Sequence, residues 1–478
     1  MNTPKVNLGS QWSLAVLLLS VASACFAQQT ARLLVTNAQI ITLADGDNEA
    51  FTGYVQVDSL GRIAALGRGA PPDGITAVSV IDAKGRVLMP GFLSGHSHLA
   101  ASVRRGRLPD KQLDGLIDNP LPFFAAEFYR PGDLHAFALH GAVDYLRNGI
   151  TTAFEYPIRP RYLHEDLYKE MLAAELASGM RIVYGYNVPD LPLEQARAAF
   201  LDFKKYADGL AGKNAGLLKL ALAKTGHIGR WGHDFFANEV AIAKEFGLDL
   251  QLHFLESSVY QRQNRADFNM MEDAGALDVG LIYGHFIHYS QEILDKSVAA
   301  KARMIWNPLS NGRLGSGLAD VPKYIKAGMV VGMGLDGQST ADLADPFENM
   351  RMGLYSQRMK YRSAAILLPQ DMLRLHTLGT ARAIGVAEQV GSIEVGKYAD
   401  LLLVDLAQPD TGPTYDVFAS LVFACSSANV ETVFVGGEPV VQRGRPLKLD
   451  VQAVARDAKN RVAAMKRRSE SAAPAVSP

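Results

Sequence analysis

The chain has 478 residues, 48% hydrophobic and 20% charged, with 48 Lys plus Arg against 49 Asp plus Glu and a net charge of −1. That balance excludes the basic excess of a nucleic-acid binder, and the apolar content excludes a disordered or acidic scaffold. Two cysteines exclude a disulfide-dense module, while the length points to more than one domain.

Residues 1–27 carry Lys5, the apolar run Leu14 to Ala22, and Ala24, Cys25 and Ala27. A basic start, a short apolar stretch and small residues at its end form the pattern of a secretory signal peptide. The run falls short of the ~20 apolar residues that span a bilayer, and no other segment is expected to span one. The mature protein is therefore expected in the periplasm or outside the cell, with a lipid anchor on Cys25 as the lesser alternative. Cleavage after Ala27 leaves only Cys425, read as a small buried apolar residue.

Residues 28–90 are strand-rich. Leu33 to Thr36, Gln39 to Leu43, Tyr54 to Val57 and Val78 to Ile81 are short runs rich in β-branched residues, divided by Gly, Asp and Pro. From 91 to 385 the texture becomes strand then helix. Apolar runs end near Leu93, Phe154, Gly185, Ala223, Leu252, Tyr283, Trp306 and Leu335, eight in all. Between them, residues 132–148 place Leu134, Ala138, Ala142, Tyr145 and Leu146 on one helical face and stop at Asn148-Gly149. Helices over 234–246 and 320–327 stop at Gly247 and Gly328. Eight such units predict an α/β fold, a (β/α)₈ TIM barrel. Strand texture returns in 386–450, at Gly391 to Asp405 and Val430 to Gly437. Each β-rich end is too small to bury a core alone, so the N- and C-terminal segments are expected to pair into one composite β-sandwich. Residues 451–478 read as a helix over 451–465 and a frayed tail from Ser469 to Pro478.

In such a barrel, function sits at the C-terminal ends of the strands. The first strand is followed by His96 and His98, the second by Glu155, the fifth by His253 and Glu256, the sixth by His285 and His288, and the eighth by Asp336. Residues two apart on a strand face the same way, so His96 and His98 can grip one ion. With His253 and Asp336 they offer three imidazoles and a carboxylate, a set suited to one divalent metal ion, zinc before iron, with room for a water. Other histidines, such as His135 and His376, read as helix-surface residues.

These motifs resemble the amidohydrolase superfamily, and within it the deaminase and chlorohydrolase branch. Pro90 to Leu99 is similar to that family's first metal motif and Leu252-His-Phe-Leu-Glu256 to the branch's His-x-x-Glu. Tyr283 to His288 resembles its sixth-strand motif, with His285 at the active-site position. Asn307 to Gly317 resembles the loop after strand seven, and Met333 to Gly337 the last ligand segment. The resemblance covers nearly all of the mature chain.

The resemblance implies a metal-dependent hydrolase of non-peptide C–N bonds. Metal-activated hydroxide attacks an sp² carbon, Asp336 takes the water's proton, His285 polarises the attacked centre, and Glu256 protonates a substrate nitrogen. Deamination of a small cyclic or aromatic substrate is the leading expectation. Amide or carbamate hydrolysis or dehalogenation on the same site is the alternative, and a non-catalytic binding barrel a minor one. The sequence departs from the branch after strand four, where Ala223 to Arg230 replaces Pro-His-x-Pro-Tyr, which argues against an adenosine-like substrate. Strand four also carries Lys219, read as barrel-exterior or structural, since His-x-x-Glu goes with one metal rather than a lysine-bridged pair. Glu155, Lys224, Trp306 and Asn311 are expected around the substrate pocket, with Phe123, Phe124 and Arg313 nearby. The partners expected are a small-molecule substrate and a second copy of the chain in a homo-oligomer.

Overall fold

The computed structural model describes residues 30–107, 110, 122–157, 164–212, 216–224, 233–258 and 261–472. The leader expected at 1–27 lies outside them. Five strands come first: β1 Ala31–Ile40, β2 Phe51–Val57, β3 Ile63–Arg68, β4 Ala77–Asp82 and β5 Val87–Pro90. The two runs read at Leu33 and Gln39 are one strand, bent by a bulge between Val35 and Ala38. Asn37 takes φ 51° there, a conformation that Asn tolerates better than bulkier residues.

Gly91 then leads into the barrel, built of β6 Phe92–Ser97, β7 Ile150–Glu155, β8 Arg181–Tyr186, β9 Leu218–Lys224, β10 Asp249–Phe254, β11 Gly280–His285, β12 Arg303–Trp306 and β13 Val330–Met333. All eight pair in parallel in sequence order, at the eight runs picked out in the sequence. At the mouth the ring is drawn together by the Ser97–Asp336 bridge and by the Asp336 amide, which donates to His96 O at 3.0 Å.

Both faces of each strand are covered, one by the barrel interior and one by helices. Leu93, Phe154, Val183, Ala221, Ile282 and Ile305 fill the interior, and Ala381, Ala383, Ile384, Val386 and Val390 pack into the same cluster. Their alternating neighbours, such as Phe92, Ile182, Leu222, Leu252, Tyr283, Met304 and Trp306, pack in the outer layer. The helices expected at 132–148, 234–246 and 320–327 appear as Asp133–Arg147, His233–Phe246 and Val321–Lys326.

The chain's two ends meet in one mixed sheet. After β14 Leu401–Val404, β15 Val430–Val435, β16 Glu438–Gln442 and β17 Arg445–Pro446, the strand order is β17-β16-β15-β14-β5-β1-β2-β3, with β4 beside β1. The joint is β5, parallel to β1 and antiparallel to β14. Leu33, Val35, Val55, Leu88, Leu401, Leu403 and Phe434 share its core.

Three local expectations are corrected. The strand texture read over Gly391 to Asp405 yields only the strand Leu401–Val404, the preceding stretch being turns and bends with an isolated bridge at Tyr398. The terminal helix runs from Val451 to Ala472, because Arg461 and Arg468 tie it to the buried Asp133 at 3.1 and 2.8 Å. His376 is fully buried, with Nδ1 2.9 Å from Leu93 O and Nε2 3.1 Å from Asn349 Nδ2. Among the described residues, no helix is long and apolar enough to cross a membrane.

Candidate metal centre and active site

Strand geometry carries the histidines inward. His253 and Gln251 face opposite to Leu250 and Leu252, which pack in the outer layer. At the barrel mouth, His96 Nε2 lies 3.1 Å from His253 Nε2 and His253 Nε2 lies 3.3 Å from His98 Nε2. Asp336 Oδ1 sits 3.0 Å from His98 Nε2 and 3.7 Å from His96 Nε2. All four residues are buried or nearly so.

This donor set fits a metal ion. A tetrahedral ion with ligands at ~2.0–2.1 Å spaces them ~3.3 Å apart, inside the observed range of 3.0–3.7 Å. Their hydrogen bonds point the same way. His96 Nδ1 lies 2.6 Å from Gln251 Oε1, and the Gln251 amide is oriented by donating Nε2–H to Gly95 O at 2.8 Å. His98 Nδ1 donates to Tyr156 O at 2.6 Å. Both rings therefore carry their proton on Nδ1 and turn an Nε2 lone pair to the common centre, where lone pairs facing one another call for a cation. Burial foremost, then the neighbouring imidazoles, hold His253 well below the usual histidine range and His96 down to about 3, which keeps them neutral.

Asp336 is shaped for the task by its backbone. It takes φ 58°, and His285 at the end of β11 takes φ 75°. Such left-handed conformations in non-glycine residues cost energy and gather at functional sites. Asp336 Oδ2 accepts from Ser310 Oγ at 2.5 Å and its Oδ1 from Gly337 N at 2.8 Å.

Glu256 and His285 stand beside this group. Glu256 Oε2 is 3.5 Å from His285 Nε2, and Ser316 Oγ donates to Glu256 Oε1 at 3.3 Å. His285 offers a ring nitrogen within 4.8 Å of donor atoms of His96, His253 and Asp336. Ser310 and Ser316 were not singled out in the sequence. Both belong to the loop after strand seven, where a short helix, Pro308–Arg313, aims the serine and the asparagine of Ser310-Asn311 at Asp336 and His285.

Of the four residues expected to line the substrate pocket, three turn into the outer layer and the fourth, Asn311, reaches His285. Trp306 shares the outward parity of Met304 and its ring packs where a Cβ on Gly353 would sit, 2.6 Å away. Glu155 also lies in the outer layer, accepting from Leu99 N at 2.9 Å, and burial pushes its carboxyl up to about 8. Lys224 follows Leu222 outward, to Asp190 at 2.9 Å and Glu239 at 3.2 Å. Asn311 is buried, with Nδ2 2.8 Å from His285 Nδ1, so it serves His285 rather than the pocket wall. Phe123 and Phe124 are buried against each other, ring centroids 4.6 Å apart. Arg313 bonds Asp342 at 3.1 Å, whose Oδ1 accepts from Gly106 N at 2.8 Å, so it holds two mouth loops together. Lys219 turns out to be interior and far from the mouth. It donates to Asp249 at 2.9 Å and to the carbonyls of Ile384 and Gly385 at 3.1 Å.

Comparison with known proteins agrees with this geometry. Residues 87–440 match the model described as the amidohydrolase family. The chain is 28% identical over 435 residues to a 5-methylthioadenosine/S-adenosylhomocysteine deaminase of Desulforudis audaxviator, covering 89% of this chain and 97% of the relative. It is 26% identical to a 5'-deoxyadenosine deaminase of Methanosarcina acetivorans, with 90% and 97% covered. Among solved structures, a zinc-bound adenosine deaminase from Xanthomonas campestris superposes with a TM-score of 0.79 at 22% identity, covering 92% of this chain and 99% of that one. An atrazine chlorohydrolase mutant from Arthrobacter aurescens, complexed with zinc and atraton, gives 0.79 at 19% identity, covering 90% and 100%. At those identities the structures speak for the fold.

Proposed function

The chain belongs to the amidohydrolase family, and from that premise we propose that it is a one-metal hydrolase that deaminates a small cyclic or aromatic substrate. The observation that carries this reading is the ring of four donors with adjacent pairs 3.0–3.7 Å apart, with a glutamate and a further histidine beside it. His96, His98, His253 and Asp336 would hold the ion, and three imidazoles with one carboxylate favour zinc. When bound, such an ion lowers the pKa of water and stabilises developing negative charge.

The protein's own groups divide the remaining work. Asp336, fixed by Ser310 and Gly337, accepts the proton of the attacking water. Glu256, steadied by Ser316, delivers a proton to a substrate nitrogen so that the attacked carbon becomes more electrophilic; Asp336 passes the proton it took from water to the departing amine, and the remaining hydroxyl proton returns to Glu256 as the carbonyl forms. His285 faces the charge that develops on the attacked centre. The burial of all these groups strengthens each interaction by excluding water.

The named relatives act on adenosine derivatives, so aminopurine nucleosides head the substrate panel even though Ala223 to Arg230 departs from the branch's motif, followed by amino-triazines and other heteroaromatic amines. Ammonia release by metal-loaded protein, abolished in Glu256→Gln with bound metal retained, is the expected result. Release of a carboxylate or halide without ammonia would replace deamination by the alternative chemistry. We place the enzyme outside the cytoplasm on the leader-like composition of residues 1–27, which fractionation of producing cells tests.

A further inference from the structure

The buried imidazoles at the mouth do not share one protonation pattern. In His96 and His98, acceptors face Nδ1: Gln251 Oε1 at 2.6 Å and Tyr156 O at 2.6 Å. In His285 the arrangement is reversed. Two amide nitrogens converge on its Nδ1, Asn311 Nδ2 at 2.8 Å and Asn307 Nδ2 at 3.4 Å. The same Asn307 Nδ2 also reaches Ile305 O at 3.5 Å, which agrees with an N–H, and not a carbonyl, facing the ring. On the opposite side, Nε2 makes no hydrogen bond of its own and faces the open centre, with Glu256 Oε2 3.5 Å away. An Nδ1 that accepts from amide N–H groups leaves the proton of the neutral ring on Nε2.

We propose that Asn311, backed by Asn307, is a positioning residue that locks His285 with its proton on Nε2, making the ring a hydrogen-bond donor to the reacting centre and barring it from the metal. This rests on the hydrolytic reading and deepens it by assigning His285 its chemical sense. A ring with hydrogen on Nε2 has no lone pair there for an ion, which explains how four imidazoles within reach yield only three ligands. The same N–H is aimed where negative charge grows as water adds to an sp² carbon. Asn311 touches neither substrate nor metal in this scheme. It is 3% exposed, sits on the short helix Pro308–Arg313 and acts through the ring it holds.

The test compares Asn311→Asp with Asn311→Ala in the full-length, zinc-loaded protein. Asp keeps the shape of Asn but offers only acceptors, so it draws the proton to Nδ1. Ala removes the contact without inverting it. The isosteric variant is therefore expected to be the worse enzyme, with kcat reduced by about 100-fold or more, as for loss of one oxyanion donor, and KM changed little. Asn311→Ala is expected to lose less. A merely structural role predicts the opposite order, and finding Asn311→Asp more active than Asn311→Ala would overturn the proposal. A second readout is independent of turnover. Nitrogen NMR of ¹⁵N-histidine-labelled protein, with His285 assigned through His285→Gln, should show Nε2 protonated in the parent and Nδ1 protonated in Asn311→Asp. A parent spectrum with the proton on Nδ1 would refute the tautomer whatever the activity. A parent that shows the Nε2–H tautomer yet releases no ammonia from any amine would instead count against the deaminase reading alone. Zinc content of His285→Gln should stay at that of the parent; a loss would make His285 a ligand and defeat the proposal.

Discussion

The two ends of the barrel are both rich in buried charge, yet they are built in opposite ways. At the N-terminal end the clustered charges answer one another. Asp249 meets Lys219 at 2.9 Å and also Arg303. Arg181 forms a two-pronged pair with Asp400 at 2.9 and 3.0 Å, and Asp400 also accepts from Gly436 N at 2.8 Å. At the C-terminal end, lone pairs of His96, His98, His253 and Asp336 crowd together within 3.0–3.7 Å. The first cluster is complete as it folds, while the second is complete only with a cation. The contrast separates charge used for architecture from charge held for chemistry.

Breaking the mouth should have the largest effect. His253→Ala is expected to lose stoichiometric zinc and to cut kcat/KM by roughly 10⁴-fold or more, since water activation spans many pKa units. Metal analysis and turnover check this, and chelation of the parent should reproduce the loss and zinc reverse it. At the other end, Arg181→Ala leaves the Asp400 carboxylate buried and unpaired, which should cost about 3–5 kcal/mol in stability. Urea unfolding measures it, and the activity of the folded fraction should match the parent. A drop in activity out of proportion to folding would erase the distinction between the two ends. Gln251→Leu probes the support of a ligand, with a ~10–100-fold weaker zinc affinity expected in chelator competition. The smallest change belongs to Lys219→Met, about 1 kcal/mol of stability with zinc content and turnover unchanged. A loss of half the bound metal there would revive a lysine-bridged pair of ions.

The same contrast explains what could be read from the chain. Eight apolar runs and the residues just beyond them locate the barrel and its ligands, because a metal site must draw side chains from several strand ends. Which way a side chain faces is harder. Strands covered on both sides are apolar throughout, so the alternation that would have turned Trp306 and Lys224 toward the helices is absent from their own runs. Met304 and Leu222 look no more outward than Ile305 and Ala223. Glu155 was misplaced for the same reason. Gln251 was within reach, since it stands two residues before His253 on one strand and must share its face. Ser310 and Ser316 were hidden by a loop whose course depends on contacts distant in sequence. His376 looked like a surface residue because a helical period says nothing of the carbonyl of Leu93 that receives it at 2.9 Å.

The joint between β5 and β14 joins segments more than three hundred residues apart, pairing Pro90 with Leu401 and Val87 with Val404. A ribosome delivers β5 long before β14, so the opening strands must wait with one edge bare while the whole barrel is made. If residues 1–27 direct export, that interval is spent in transit, and the sheet can close only after the last part of the polypeptide has emerged. A product cut short before Leu401 would keep His96, His98, His253 and Asp336 and still leave β5 unpaired on that side, ready to pair with a neighbour and aggregate. Quality control of this protein therefore falls on the stretch from Leu401 onward, well away from its chemistry.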